Sequence, residues 1–180
     1  MLLSRLGSAV DIPPEPVIEG PSALAIAAPI VAGVVALLVA LALFFRWLKR
    51  QMRATGEARI QARFPDGTLR SSPTALFFGL ESRGVAQIRG NGALALAADQ
   101  VWSSAFATQD TIEIPLASIV EVDTCASHLG KRIGGHRLVR IRFRRGDATD
   151  AAAWLVDDPE AWRAAIEGAR RSGSATARAT

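Results

Sequence analysis

Residues 137–144 read RLVRIRFR, and this stretch decides the fold class. Within it, Val139, Ile141 and Phe143 alternate with three arginines. Because successive side chains of a strand point to opposite faces, this alternation predicts a strand with one buried face and one face in water. Such a strand is typical of an antiparallel sheet.

Six further strand-like runs lie on either side of this stretch. They are GVAQIRG (84–90), ALALA (93–97), QVWSSAF (100–106), TIEIP (111–115), SIVEVDT (118–124) and DAAAWLV (150–156). Most of the breaks between them are short and hold turn residues, such as Gly90-Asn91-Gly92. Loops this short favour antiparallel neighbours, so the sequence predicts a mainly β domain of seven antiparallel strands.

One amphipathic helix is predicted after the last strand. Residues 157–160 read DDPE, which offers an aspartate as N-cap and a proline in the first turn. Trp162, Ile166 and Ala169 follow at helical spacing and form one apolar face. We expect this face to pack on the sheet.

Residues 23–45, ALAIAAPIVAGVVALLVALALFF, form a run of 23 residues without a charge. As a helix this run extends about 34 Å, enough to cross a hydrocarbon core of roughly 30 Å. It has no polar face, so we expect a transmembrane helix rather than a buried core helix. A secretory signal peptide is the alternative, but the run is too long for one and its bases follow it.

The charges on either side of this run predict its orientation. Residues 1–22 hold one arginine against three acids, whereas residues 46–53 hold four bases and no acid. By the positive-inside rule, the chain crosses the plasma (inner) membrane once, with residues 1–22 outside and the C-terminal part in the cytoplasm. The membrane-flanking residues are Arg46, Trp47, Lys49, Arg50 and Arg53, with the tryptophan as an interfacial anchor.

A stripe of small residues runs along one face of the predicted membrane helix. Its members recur every four residues: Ala28, Ala32, Ala36 and Ala40. Small residues let a second helix approach closely, so the stripe is a candidate for helix–helix contact and self-association. The alternative is that an alanine-rich segment contains such a stripe by composition alone.

Residues 46–76 are predicted to be a basic juxtamembrane helix and connector. The first part is helix-compatible, whereas Phe64–Pro73 holds Pro-Asp-Gly and Ser-Ser-Pro, which are turn signals. A cytoplasmic domain is predicted over 77–171. The tail 172–180 is small and polar, and we expect it to be disordered.

Several stretches resemble bacterial pleckstrin-homology-like (PH-like, or GRAM-like) domains, which are often fused to a membrane helix. They are QIRGNGALALAADQVWSSAF (87–106), TIEIPLASIVEVDT (111–124), LVRIRF (138–143) and AWLVDDPEAWRAAI (153–166), with FFGLESRG (77–84) ahead of the first predicted strand. The resemblance covers 77–171 and implies a partly open seven-stranded barrel capped by the C-terminal helix. Members of this superfold bind lipids, peptides or other proteins and are generally not enzymes.

The sequence departs from the phosphoinositide-binding members of that superfold. Those members carry several bases in and around the first hairpin turn. Here we place that turn at Gly90-Asn91-Gly92, beside the single Arg89. One base does not form a multidentate phosphate site, so phosphoinositide binding is not carried over.

Seven bases and no acid lie between residues 129 and 146. If 118–124 pairs with 137–144, Glu121 lies opposite Arg140 with Asp123 diagonal to it, and these ion pairs help to fix the strand register. The remaining bases are candidates for contact with an acidic partner or anionic lipid. They are Lys131, Arg132, Arg137 and Arg145.

The sequence contains no recognisable catalytic or metal-binding set. Cys125, His128 and His136 do not have the ligand number of a structural zinc site. Ser127 and His128 are neighbours without a third orienting group, so they do not indicate a nucleophile and its base. The single cysteine excludes an intramolecular disulfide, and no aromatic residues are interleaved with the arginines as in nucleic-acid sites. We expect no metal, cofactor, small-molecule substrate or nucleic acid.

With 180 residues, of which 49% are hydrophobic and 21% charged, the chain is neither disordered nor polytopic. We therefore expect a single-pass membrane protein whose cytoplasmic PH-like module is a scaffold for protein–protein interaction or self-association. The alternative is recognition of an anionic lipid surface by residues 129–146. An enzyme is the remote alternative.

Overall fold

The computed structural model describes residues 23–108 and 110–176. The chain divides into two compact units, 1–45 and 46–180. Helix α1 spans Ala23–Arg63, and it contains an 18-residue window with a mean hydropathy of 2.7 in which no residue is buried. It is the one helix in the described part that is long and apolar enough to cross a bilayer. The predicted outer segment, residues 1–22, lies outside the described residues.

Seven antiparallel strands and a second helix follow α1. They are β1 (Arg70–Leu80), β2 (Gly90–Leu96), β3 (Gln100–Ala105), β4 (Thr111–Pro115), β5 (Ile119–Cys125), β6 (Leu138–Arg145), β7 (Ala148–Leu155) and α2 (Pro159–Thr176). The strands form one sheet in the order β4-β3-β2-β1-β7-β6-β5. The prediction of a mainly β domain with one C-terminal helix is confirmed. Within the described ranges β4 and β5 do not pair, so the sheet is not closed.

The first strand differs from the prediction. Residues 84–89 form a loop rather than a strand, and β1 instead comprises Arg70–Leu80, within and just beyond the predicted connector. The strand tolerates Pro73 because the pairing of β1 with β2 shifts register between Ser72 and Ala75. The turn signals in residues 70–73 therefore mark an irregularity inside a strand.

The inner face of the sheet holds the larger core. Leu96, Ile141 and Trp154 are fully buried there, and α2 adds Trp162 and Ile166. Burying one large apolar side chain stabilises a fold by about 1.5–3 kcal/mol. The predicted apolar face of the C-terminal helix is confirmed.

The outer face of β2 and β3 is covered by the last turns of α1. Ile60 is buried in a small cluster with Ala93, Ala95 and Trp102. The alanines on this face of β2 leave room for the helix backbone. At Gly56 the approach is so close that an added Cβ would lie 2.0 Å from the carbonyl oxygen of Pro73.

Helix α2 begins with the predicted capping aspartate. The Asp158 Oδ1 atom accepts a hydrogen bond of 2.9 Å from the Ala161 backbone N–H, as expected of an N-cap residue. The helix extends to Thr176, so it includes residues 172–176 of the segment predicted to be a disordered tail. Residues 177–180 lie outside the described residues.

Candidate binding site

The loop between β1 and β2, residues 81–89, is held in shape by one side chain. The Gln87 Nε2 atom donates to the carbonyl oxygens of Leu80 at 2.6 Å and of Gly84 at 2.7 Å. The Gln87 Oε1 atom accepts a hydrogen bond of 3.0 Å from the Leu80 N–H. Three bonds from one glutamine close the loop on the end of β1, which explains why residues 84–89 do not form a strand.

A buried carboxylate on β7 holds the start of the same loop. Asp150 is 2% exposed and accepts hydrogen bonds from the Ser82 N–H at 2.9 Å and the Ser82 hydroxyl at 2.6 Å. A third bond comes from the Ala151 N–H at 2.8 Å. Burial alone would raise the pKa of Asp150, but these bonds to the charged form outweigh it and the pKa lies below its usual value.

The segment between β5 and β6, residues 126–137, packs against the end of β1 and the loop. His128 Nε2 lies 3.1 Å from the Gly79 carbonyl oxygen, and the Lys131 ammonium donates to the Gln87 carbonyl oxygen. Burial lowers the pKa of His128. Its Nδ1 atom is buried without a hydrogen-bond partner and lies 3.9 Å from Glu81 Oε1. The 81–89 loop is thus bonded to β7 and to this segment as well as to itself.

A pocket of about 380 Å³ lies between the 81–89 loop and the turn after β3. Its lining is mainly apolar and includes Phe77, Ile88, Ala105, Ala107 and Ile112. Phe77 packs on Trp154, with 5.5 Å between the ring centroids. Both rings belong to the inner core, so the pocket opens from that core to solvent.

The 81–89 loop beside this pocket carries exposed apolar residues and two arginines. Ile88 is 92% exposed and Val85 is 69% exposed, although both belong to the loop that is held by hydrogen bonds. The Arg89 guanidinium lies over the Phe78 ring, 5.6 Å from its centroid. Arg83 lies 3.9 Å from Asp110, and both side chains are at least half exposed. The prediction that the first hairpin turn is 90–92 with one base is wrong: the first hairpin loop is 81–89, with two arginines.

The basic region at 129–146 is largely bonded to the chain itself. Arg140 donates two hydrogen bonds to Asp123, and Arg142 lies 3.5 Å from Glu121. The predicted pairing of Glu121 with Arg140 is wrong by two residues: Glu121 lies opposite Arg142, and Asp123 lies opposite Arg140.

Three of the four candidate bases in that region also have partners within the chain. Arg137 donates to the Thr124 carbonyl oxygen and hydroxyl, and Arg145 lies 3.6 Å from the buried Asp150. The third, Lys131, binds the loop. The fourth, Arg132, is exposed.

The other predicted site residues lie on helix α1. The membrane-flanking residues Arg46, Trp47, Lys49, Arg50 and Arg53 are all exposed, and Arg53 pairs with Glu57 at 2.8 Å. The alanines of the stripe at 28, 32, 36 and 40 are exposed as well. None of these residues lines the pocket, and sequence reasoning did not single out Ile88 or the pocket around it.

The arrangement of residues at the pocket is suited to binding. In the described ranges no group of three His, Cys, Asp or Glu side chains is placed to hold a metal ion. The polar groups of the pocket wall are few, and Ser103 already accepts a hydrogen bond of 3.1 Å from the Trp154 indole. An apolar recess with charged groups at its mouth can bury an apolar group and orient it through a polar neighbour.

No family model matches the sequence, and no curated protein matches it. One similar solved structure is described as the crystal structure of the C-terminal domain of an unknown protein from Leishmania infantum. It is 14% identical, and the match covers 63% of this chain and 96% of that chain with a TM-score of 0.43.

Proposed function

We propose that this protein is a single-pass, membrane-anchored PH-like module that binds a protein partner and performs no catalysis. The apolar part of α1 supports the anchor, and the bases after residue 45 support a cytoplasmic location for the sheet. The PH-like assignment is supported by seven antiparallel strands that form one open sheet, followed by a helix packed on its inner core.

The observation that carries the binding role is the pocket at the 81–89 loop. A large apolar side chain held in water is unfavourable, by about 1.5–3 kcal/mol relative to its buried state. Ile88 is exposed to water, and it lies on a loop that hydrogen bonds through Ser82, Gln87 and Lys131 hold in place. Such a rigid apolar rim around an apolar recess is typical of an interaction surface, because binding then requires little further ordering.

Lipid-surface binding by residues 129–146 is the weaker candidate. It requires several bases that are available to headgroups. In this region Arg137, Arg140 and Arg142 already bind groups of the same chain. A protein partner at the pocket needs none of these bases.

A photocrosslinking experiment tests the proposed partner. In one variant of the full-length chain, a photoreactive amino acid replaces Ile88, and crosslinking is carried out in the native membranes. A control variant carries the same amino acid in place of Val120, which is 53% exposed on the edge strand β5. We expect one reproducible protein adduct from position 88 and none of the same mass from position 120. The adduct should disappear when Ala107→Trp fills the pocket. Adducts that are equal at both positions, or that persist in Ala107→Trp, would overturn the proposal.

The orientation of the chain is tested with an external protease. Intact spheroplasts should protect residues after Arg63 from digestion, and permeabilised spheroplasts should not. Digestion of the sheet in intact spheroplasts would contradict the cytoplasmic location, whatever the result of the crosslinking.

A further inference from the structure

Residues 126–137 join β5 to β6 and form a strap on the outer face of the sheet. We infer that this strap opens when His128 takes up a proton, and that opening uncovers an apolar cluster beneath it. Such a switch acts independently of the pocket and of the partner proposed for it.

The strap covers apolar side chains of the sheet. Phe78 and Leu138 are fully buried in a cluster on the outer face, and Ile133 of the strap packs against that cluster. The Leu129 side chain lies over Gly79, where an added Cβ would be 2.9 Å from Leu129 Cδ1. Lifting the strap therefore brings Phe78 and its neighbours into contact with water.

One buried side chain holds the strap on the sheet. Within 126–137, all of which the structure describes, only His128 is buried. Its Nε2 atom lies 3.1 Å from the Gly79 carbonyl oxygen. Because a carbonyl oxygen only accepts hydrogen bonds, Nε2 carries the proton of the neutral ring. The Lys131 ammonium also donates to the Gln87 carbonyl, but both residues are partly exposed, so water can replace that bond.

A second proton on the His128 ring has no partner while the strap is closed. The Nδ1 atom is buried and has no hydrogen-bond partner. Glu81 Oε1 lies 3.9 Å away, which is too far for a hydrogen bond, and the Glu81 side chain is 45% exposed to water. A protonated Nδ1 would therefore be a buried donor and a buried charge without compensation, which disfavours the closed strap.

The charged groups that face His128 do not supply that compensation. Asp150 of β7 already accepts hydrogen bonds from three other groups. Arg140 of β6 and Lys131 of the strap are themselves cations. Burial lowers the pKa of His128 by more than Glu81 and Asp150 raise it. The proton is thus bound more readily when the strap is open and the ring is in water.

The backbone of the strap favours movement. Leu129 lies in the turn between the paired residues His128 and Lys131 and has a φ of 50°, in the left-handed region that favours glycine. Such strain persists only where the surrounding structure imposes it, so a strap lifted from the sheet can relax. Gly134 and Gly135 follow, and an added Cβ at either would have no neighbour within 4 Å. These glycines provide a flexible connection to β6.

Hydroxyl-radical footprinting of the full-length chain in nanodiscs tests the switch. The chain is labelled from about pH 7.5 to about pH 4.5, the range in which histidine titrates, with a reference peptide to correct the radical dose. We expect oxidation of Phe78 to increase as the pH falls below 6.5, by at most about tenfold per pH unit for one proton. Trp154, which is also fully buried but lies in the inner core, should stay protected.

Two outcomes of this experiment would overturn the inference. One is oxidation of Phe78 that stays constant over the whole pH range. The other is oxidation of Trp154 in parallel with Phe78, because the domain would then unfold as a whole. Ile133→Ser is the positive control: it weakens the packing of the strap and should raise oxidation of Phe78 at about pH 7.5. No increase in that variant would show that the strap does not cover Phe78.

Three substitutions assign the proton to His128. His128→Gln keeps an N–H donor for the Gly79 carbonyl but does not titrate, so Phe78 should stay protected at every pH. Glu81→Gln changes an exposed side chain and removes a carboxylate that favours the proton, so opening should shift to lower pH. His136→Gln is the matched control, since His136 is the exposed histidine of the same strap, and it should leave the opening unchanged. Opening that persists in His128→Gln, or that Glu81→Gln does not shift, contradicts the inference; the second variant decides if the first does not fold.

Discussion

Asp123 and Arg140 lie directly opposite each other on β5 and β6, and the guanidinium donates two hydrogen bonds to the carboxylate, one of them 2.9 Å from Nε to Oδ1. The hydrogen bonds from Arg140 hold the pKa of Asp123 below its usual value, and Asp123 in turn raises the pKa of Arg140. Both side chains are only partly exposed. This pair therefore helps to fix the register of the edge strand β5.

A double-mutant cycle measures the contribution of this pair. We expect Asp123→Ala and Arg140→Ala to show a coupling energy of about 1 kcal/mol in the free energy of unfolding, because the pair is bidentate and partly buried. The measurement is chemical denaturation of the full-length chain in detergent, followed by tryptophan fluorescence.

The neighbouring pair on the same two strands is the control for that cycle. Glu121 and Arg142 lie 3.5 Å apart with side chains about half exposed. We expect the coupling energy of this pair to be under about 0.5 kcal/mol, as for other exposed ion pairs. A larger coupling for Glu121 and Arg142 than for Asp123 and Arg140 would contradict the account of the register.

The strands that the sequence predicted well are those whose two faces meet different surroundings. In β6, Val139, Ile141 and Phe143 are buried while the arginines between them are partly or fully exposed, so alternation identifies the strand. In β1 the residues on both faces pack against something, since Phe77 faces the inner core and Phe78 is buried on the other side with Leu138. Alternation is lost there, so the sequence pattern does not distinguish β1 from a connector.

The docking of α1 on the sheet predicts an unusual effect of a glycine substitution. Replacing glycine by alanine inside a helix normally stabilises it by about 1 kcal/mol. At Gly56 the new methyl group would meet the Pro73 carbonyl, which is backbone and has little freedom to move. We therefore expect Gly56→Ala to destabilise the sheet domain by about 1–3 kcal/mol. The effect is measured as a decrease in the thermal unfolding midpoint.

A second glycine in the same helix provides the matched control. An added Cβ at Gly33 would have no neighbour within 4 Å. Gly33→Ala should therefore leave the unfolding midpoint of the sheet domain unchanged. If Gly56→Ala raised that midpoint, the close approach of α1 to β1 would be wrong.

The cap of α2 predicts a difference between two adjacent aspartates. Asp158 accepts the hydrogen bond from the Ala161 N–H, so Asp158→Ala should cost about 1 kcal/mol of unfolding free energy. Asp157 is exposed and does not occupy the cap position, so Asp157→Ala should change the value by less than about 0.5 kcal/mol. Equal losses in the two variants would show that the first turn is capped differently.

The candidate site was harder to predict than the fold because it depends on contacts between distant segments. Gln87 and Ile88 look like alternating strand residues in the sequence, and no local signal shows that the Gln87 side chain bonds back to Leu80. The bond of Ser82 to Asp150 joins residues 68 positions apart. Gly84 is the one local signal of this loop, because its positive φ suits a turn rather than a strand.

The last prediction concerns the pH dependence of stability at His128. Burial lowers the pKa of His128 below its ordinary value of 6.5, against the opposing effects of the Gly79 carbonyl and Glu81; Arg140 lowers it further and Asp150 raises it. The unfolded chain therefore binds a proton at a higher pH than the folded chain does. The contribution of His128 to the free energy of unfolding is therefore fully present above pH 6.5. It is lost as the pH falls from 6.5 through the pKa of His128 in the folded protein.

The slope of that loss is at most about 1.4 kcal/mol per pH unit for one histidine. We expect His128→Gln to reduce this dependence of the unfolding free energy on pH, because glutamine keeps an N–H donor near the Gly79 carbonyl but does not titrate. His136→Gln is the control, since His136 is exposed and its replacement should leave the slope unchanged. The measurement is the unfolding midpoint of the full-length chain at a series of pH values, and a slope that His136→Gln removes and His128→Gln retains would contradict the assignment.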